Sequence, residues 1–319
     1  MSYPLRFHRT AVSKPWAGSR LSNLFPDELP AGTGESIELA DMPDACSVVA
    51  NGEWRGQTIR QLMEAHRQDL LGDLSGMHDL PDFPLAVKFL DTAEALSVQD
   101  HPSDLRRDGR LVQRGKSECW IVLDAEPEAV IYQGLKKGVS ADEFAASLTG
   151  GHPFELMNAR HLVRGDYLYN EAGMIHAIGG GLTLLEIQQN CAITYRLWDL
   201  PRPVMREMHI EAGLAAAKLD LLLPGVRGTQ GEDELLQDDG PFGVRSLRVS
   251  KAFRQCKDWQ GFTLLTLLEG ACEVTGRARD NLQPAVLKPG DTVLYPAEFS
   301  EFEFYPQGEA WLIQSWARE

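Results

Sequence analysis

Positive charge is scarce in this chain. Lysine and arginine number 31 against 46 aspartates and glutamates, a formal net charge of −15 over 319 residues. No basic surplus is available to neutralise a polyphosphate backbone, which excludes nucleic acid as an expected partner. A small anionic ligand is not excluded. It needs a local basic pocket working against an unfavourable overall field. Long apolar runs are missing too. No stretch approaches the ~18 to 20 residues that span a bilayer, and the opening MSYPLRFHRT has no apolar signal core. Cysteine is thin and scattered. Cys46, Cys119, Cys191, Cys256 and Cys272 are odd in number and form no CxxC, which argues against a disulfide framework and against a cysteine zinc knuckle. These absences predict a soluble protein of the reducing cytoplasm with no membrane partner. They leave its oligomeric state open.

Helical periodicity is sparse as well. TIRQLMEAHRQDLLG, 58–72, carries Ile59, Leu62, Met63, His66 and Leu70 on one stripe and predicts a helix. SADEFAASLTG, 140–150, predicts another, with Ser140 as cap, Glu143 completing a capping box and Gly150 as stop. A third is expected within 205–219. Most of the remainder reads as short strands punctuated by Gly, Pro and Asp, and a content of 43% hydrophobic residues supplies a sizeable core.

One internal repeat organises those strands. HLVRGDYLYNEAGMIHAI, 161–178, resembles AVLKPGDTVLYPAEFSEF, 285–302, when Gly165-Asp166 is set on Gly290-Asp291. Each copy has an apolar stretch, a Gly-Asp turn, a short strand, and then Ala172 or Ala297. Two copies of one strand–turn–strand device predict two similar β barrels or rolls in tandem. The acidic stretch TQGEDELLQDDGPFG, 229–243, lies between them and reads as an exposed linker. The expected units are 1–235 and 240–319.

Chemistry concentrates in the first unit. In VQDHPSD, Gln99 and His101 are two apart and share a strand face. In GKSECWIV, Lys116 and Glu118 alternate onto the face continued by Trp120 and Val122. A charged pair at the start of an apolar strand is expensive to bury unless it is paired or holds a metal. A strand-end ion pair is the simpler alternative. His176 follows the Gly165-Asp166 turn by eleven residues, so a hairpin return brings it beside the preceding strands. A hydrogen-bonded core histidine is the alternative there. Taken together, Gln99, His101, Glu118 and His176 suit zinc or another first-row divalent ion, with an amide oxygen completing the shell. A single carboxylate leaves such a site net positive, fit for a Lewis-acid role at an oxygen substrate. The second repeat has Glu301 in place of His176, so one metal per chain is expected. In ITYRLWDLPRP, Arg196 is permanently charged and can fork two hydrogen bonds to an oxyanion, or pair with Asp199 or Glu186.

These residues resemble the type I mannose-6-phosphate isomerases. QDHPSD, KSECW, the Gly-Met-Ile-His-Ala run and EIQQNCAITYRLWD occur in that family's order, together with GESIEL (34–39), SVVANGEWRGQTIRQLM (47–63), FPLAVKFLD (83–91) and RPVMREMHI (202–210). The length is similar to the short bacterial form. The resemblance implies a mainly β fold of tandem cupin-like jelly-roll barrels with a few short helices. It implies one Zn²⁺ held by His101, Glu118 and His176, with Gln99 as fourth ligand. It implies interconversion of mannose 6-phosphate and fructose 6-phosphate through a cis-enediol. Arg196 matches the family's active-site arginine and Lys116 a lysine tied to proton transfer or substrate contact. Lys88 and Arg196 are candidates for holding the sugar phosphate, with Ser97 and Ser103 as hydroxyl donors, and Asp199 is an alternative base or substrate contact. The chain departs from the family pattern at Asp100, where an apolar residue is usual, at Ser103, usually acidic, and at Glu171, a proline in many cupins. Rival readings on the same scaffold are a metal dioxygenase, since two histidines and a carboxylate also describe a non-haem iron triad, and a non-catalytic sugar-binding cupin.

Overall fold

The run ECWIVLDA sorts its side chains by the two-residue period of a strand. Over Glu118–Ala125, Cys119 and Ile121 enter one apolar core while Trp120 and Val122 enter another. The computed structural model describes residues 2–74, 80–278 and 281–318 and builds two antiparallel strand pairs of sheets by this alternation. In the first pair, a seven-stranded sheet runs in the order Arg227–Gly228, Asp166–Asn170, Glu118–Ala125, Leu182–Gln189, Leu85–Thr92, Thr33–Leu39, Thr10–Ser13. A five-stranded sheet accompanies it, ordered Met157–His161, Val130–Leu135, His176–Ile178, Val98–Asp100, Tyr195–Trp198. The second pair has six strands, Leu5–Arg6, Thr292–Tyr295, Thr263–Glu269, Ala310–Ala317, Phe242–Val249, Asp233–Gln237, and four, Phe253–Cys256, Phe299–Pro306, Cys272–Ala278, Asn281–Leu287.

The repeat read from the sequence is a repeat of hydrogen bonds. Gly165 and Gly290 have φ of +89° and +88°, a backbone that favours glycine. Asp166 donates its N–H to Val163 O at 3.0 Å and accepts from Val163 N at 2.9 Å. Asp291 does the same with Lys288, at 3.0 and 3.1 Å. Each glycine N–H then reaches the neighbouring strand at 2.8 Å, to Val122 O or Leu267 O.

The expected linker is shaped differently from its sequence reading. Asp233–Gln237 forms an edge strand against Phe242–Val249, with Leu236 and Gln237 buried. Of its acidic residues Asp233 is exposed and Glu234 is half-buried. The N-terminal Leu5–Arg6 also joins the second pair of sheets, through Leu294 and Val293. One apolar core runs across both pairs, with Phe83 and Phe262 in ring contact at 4.6 Å between centroids.

The helices follow their caps. Ile59–Leu71 starts at Thr58, whose hydroxyl and Gln61 close a capping box, and buries Ile59, Leu62, Met63 and Leu70. His66, counted on the apolar stripe, is part-exposed with φ −137°, its ring tilted at 51° against Trp54 at a kink. Ala141–Gly150 uses the expected Ser140–Glu143 box, but Gly151, at φ +79°, is its C-cap, and Gly150 remains helical. The third helix is shorter than expected, Ile210–Ala216. The segment before it is held by Arg206 bonding Asp199 and by His209 N–H bonding Arg196 O.

Candidate metal centre and active-site cavity

Three strands and a turn bring the predicted ligands together. His176 and Gln99 are cross-strand partners, and Arg196 is the partner of Gln99 on its other side. Glu118 opens the central strand of the facing sheet and pairs with Asn170 and Gln188. The ligand atoms of His101, Glu118 and His176 lie within 4.8 Å of one another. Glu118 Oε1 stands 3.3 Å from His101 Nε2 and 3.1 Å from His176 Nε2. Both imidazoles and the carboxylate are almost fully buried.

The second ring nitrogens fix the tautomer. His101 Nδ1 lies 3.1 Å from Ile193 O, and His176 Nδ1 lies 2.9 Å from Met174 O. A carbonyl accepts only, so each Nδ1 carries the proton and each Nε2 turns a lone pair toward Glu118. Burial, then the Lys116 ammonium, press the His101 pKa down to about 3, so its ring is neutral at pH 7. Burial alone would raise Glu118. The Lys116 ammonium outweighs it and holds Glu118 well below the usual carboxylate range. Two neutral imidazole nitrogens and one carboxylate oxygen, converging and anchored from behind, form a donor set that fits a divalent metal ion.

The surrounding residues are placed unequally. Lys116 Nζ is 2.5 Å from Glu118 Oε2 and 2.9 Å from His101 Nε2, at the edge of the donor set. Gln99 directs its amide nitrogen to His176 Nε2 at 3.3 Å, while Ser97 Oγ donates to its oxygen at 2.9 Å. A cavity of about 270 Å³ opens over Gln99, Lys116 and Glu118, and is walled also by Lys88, Ser97 and Arg196. Ser103 is elsewhere. The strand ends at Asp100, Pro102 breaks the alternation, and Ser103 lines a separate cavity with Asp104 and Arg114. Asp199 is not on the wall of the 270 Å³ cavity. It is gripped by Arg202 and Arg206, which hold its pKa low against the opposing effect of burial.

Asp100 has a physical role that its departure from the apolar pattern did not reveal. It is fully buried, neither carboxylate oxygen has a hydrogen-bond partner, and burial pushes its pKa up to about 8. It sits at neutral pH as an uncharged acid in an apolar position. A Cβ added to Gly213, on the short helix, would come within 3.0 Å of it. Sequence reasoning missed further wall residues: Lys14, Trp16, Glu35, Glu186 and Arg206. The signal was present for some of them. Lys88 and Glu186 are charges inside apolar strands, and the register makes them direct partners, 3.5 Å apart.

Paired antiparallel rolls, one of them enclosing two imidazoles and a carboxylate that fit a metal, define a protein of the cupin type. Comparison with known proteins narrows this. A mannose-6-phosphate isomerase of Bacillus subtilis is 32% identical over 94% of this chain and 95% of its own length. A mannose-6-phosphate isomerase of Streptococcus mutans is 30% identical over the whole of both. The crystal structure of the mannose 6-phosphate isomerase from Bacillus subtilis superposes with a TM-score of 0.82 at 26% identity, covering 99% of this chain and 100% of that one. A putative mannosephosphate isomerase from Archaeoglobus fulgidus, 21% identical with a TM-score of 0.78 over 100% and 99% of the two chains, shares the fold. No family model matches the chain. The chain belongs to the mannose-6-phosphate isomerase family.

Proposed function

We propose that this protein is a zinc-dependent aldose–ketose isomerase that interconverts mannose 6-phosphate and fructose 6-phosphate. The observation that carries the reading is the buried His101–Glu118–His176 cluster, which meets through Glu118 a cavity lined by Lys88, Lys116 and Arg196, in a chain of this family. Membership sets aside the dioxygenase and the non-catalytic cupin as readings of the same donors. His101, Glu118 and His176 hold the metal, with Gln99 beside them. Zinc suits two nitrogens and one oxygen. When bound, the metal supplies Lewis-acid stabilisation of the negative charge that develops on the substrate oxygens.

Moving the carbonyl from C1 to C2 requires removal of a proton from the carbon beside it, through a cis-enediol. Lys116 takes the proton role as the neutral amine, accepting the proton from C2 and returning it to C1, because it is buried and lies beside the donor set. Asp199, the carboxylate alternative, is occupied by two arginines and lies off the cavity wall. Arg196 stabilises charge developing on oxygen from the side of Gln99. Lys88 and Ser97 face the sugar hydroxyls from the wall. A cytoplasmic location fits five free cysteines, and among the described residues no helix is long and apolar enough to cross a membrane.

The test is a coupled assay with mannose 6-phosphate on protein whose metal content is measured. Turnover that disappears with a chelator and returns with zinc supports the reading. Fully metallated protein without turnover defeats it. Lys116→Met is expected to lower kcat by about 10²- to 10⁴-fold while retaining metal. Undiminished solvent deuterium exchange at C2 in that variant removes Lys116 from the proton step.

A further inference from the structure

Three guanidiniums gather at one end of the 270 Å³ cavity. Arg206 donates to Asp199 through Nε at 2.6 Å and Nη2 at 2.8 Å. Arg202 reaches the same carboxylate at 3.2 Å and Glu94 at 3.1 Å. Arg196 Nε stands 4.0 Å from Asp199, is buried and has no hydrogen-bond partner, while its Nη1 donates to Glu207 O at 2.8 Å. The Arg202 side chain is 3% exposed and off the wall. Arg206, at 22%, and Arg196, at 16%, are on it.

The charge balance singles out this end. Lys14 faces Glu35 at 3.0 Å, Lys88 faces Glu186 at 3.5 Å, and Lys116 faces Glu118 at 2.5 Å. Every lysine on the wall therefore has its carboxylate. The three arginines share two, Asp199 and Glu94. Glu207 also acts on Arg196 but its carboxylate is exposed to solvent, so guanidinium charge outweighs the close carboxylates here, in a chain whose overall charge is −15. In a part-buried site such a charge is weakly screened, and a guanidinium edge matches phosphate oxygens.

We propose that Arg206, oriented by Asp199 and adjacent to Arg196, anchors the phosphate group of the substrate. The inference rests on the isomerase reading and adds a residue to it. Nε and Nη2 are committed to Asp199, which turns the Nη1 edge of Arg206 to a ligand. Arg196 is the strand partner of Gln99, so the arginine end adjoins the metal end of the same cavity. A hexose phosphate has that same polarity, with the reacting carbons at one end and the phosphate at the other. Asp199 acts as a positioning residue.

The experiment is Arg206→Ala in the metallated protein, with Arg206→Lys beside it. Its KM for mannose 6-phosphate is expected to rise about ten- to a hundredfold, the loss typical of a charge-assisted hydrogen bond, with the smaller share of the effect in kcat. Calorimetry with inorganic phosphate is expected to show a similar loss, and with mannitol, which has no phosphate, far less. Arg206→Lys, charged but without the fork, is expected to fall between. Zinc content and melting temperature report whether the site is intact. Binding of phosphate weakened no more than that of mannitol overturns the inference, as does an unchanged KM. Turnover of the unsubstituted protein is the separate control for the isomerase reading, because the calorimetry requires none.

Discussion

Asn170 in the first barrel and Tyr295 in the second hold the same place. Each ends the short strand after a Gly-Asp turn, and each pairs across to the start of a central strand, Asn170 with Glu118 and Tyr295 with Thr263. Asn170 turns a small amide to Glu118 Oε1 at 3.5 Å. Tyr295 fills the equivalent space with a ring, donates to Val274 O at 3.0 Å, and meets Phe299 and Phe302 edge-on. His176 has Glu301 as its counterpart, and Glu301 is tied to Arg254 and Arg277. Matching turns and neighbouring strands thus carry a polar interior with a His–Glu–His donor set in one case and an aromatic plug in the other. The backbone sets where side chains converge. Their volume and polarity set whether the space becomes a site or a core.

The strongest break of this comparison is at the ligands. His101→Ala is expected to reduce bound metal to trace and turnover by about 10³-fold or more. Glu301→Ala, at the matching place of His176, is expected to leave both within about twofold, because its partners Arg254 and Arg277 lie in the other barrel. Metal analysis and steady-state rates decide it. The converse break is in the aromatic interior. Phe302→Ala is expected to cost about 3–5 kcal/mol, seen as a lower midpoint in denaturant. The folded fraction should keep its full metal content, because the lost packing lies in the other barrel.

The paired turns sharpen the comparison further. Gly290→Ala places a Cβ 2.3 Å from the Phe25 ring, whereas Gly165→Ala meets the end of the flexible Gln230 side chain at 2.4 Å. Both incur the left-handed penalty of about 1–2 kcal/mol, and Gly290→Ala is expected to lose more. Equal losses in thermal unfolding would mean that the ring yields as readily as the amide.

The smallest effect concerns Glu38, on a strand of the first barrel. Burial, opposed by Arg9 and Ser36, pushes its carboxyl up to about 7 from an ordinary 4.5. The folded state therefore binds more protons than the unfolded state between those values. The contribution is full below pH 4.5 and is lost as pH rises through 7, so stability falls with rising pH across that window. Glu38→Gln is expected to flatten the slope by at most ~1.4 kcal/mol per pH unit. Parallel stability curves for the two proteins would rule this out.

Much of the site was legible because strand alternation is a strict rule. Gln99 beside His101 and Lys116 beside Glu118 had to share faces, and the Gly-Asp repeat marked both barrels. The Ser140–Glu143 cap was legible for an equally local reason, whereas the Thr58–Gln61 box emerged only in the structure. Arg206 was not legible, since it lies in an irregular segment whose path is set by Asp199 and by His209 bonding back to the Arg196 backbone. The edge strand at Asp233–Gln237 was hidden by the acidic, turn-rich composition around it. Ser103 was misread because Pro102 ends the alternation that would have aimed it inward.

The sequence by itself determined the periodic features: which side chains share a strand face, where glycine turns and caps fall, and how the charge balance disfavours nucleic acid. Tertiary structure decided what those faces meet. Only packing of one sheet on another could bring Glu118 to the histidines, share one carboxylate among arginines, and keep Asp100 neutral. Each of those depends on distance and desolvation between residues far apart in the chain, which no local pattern encodes.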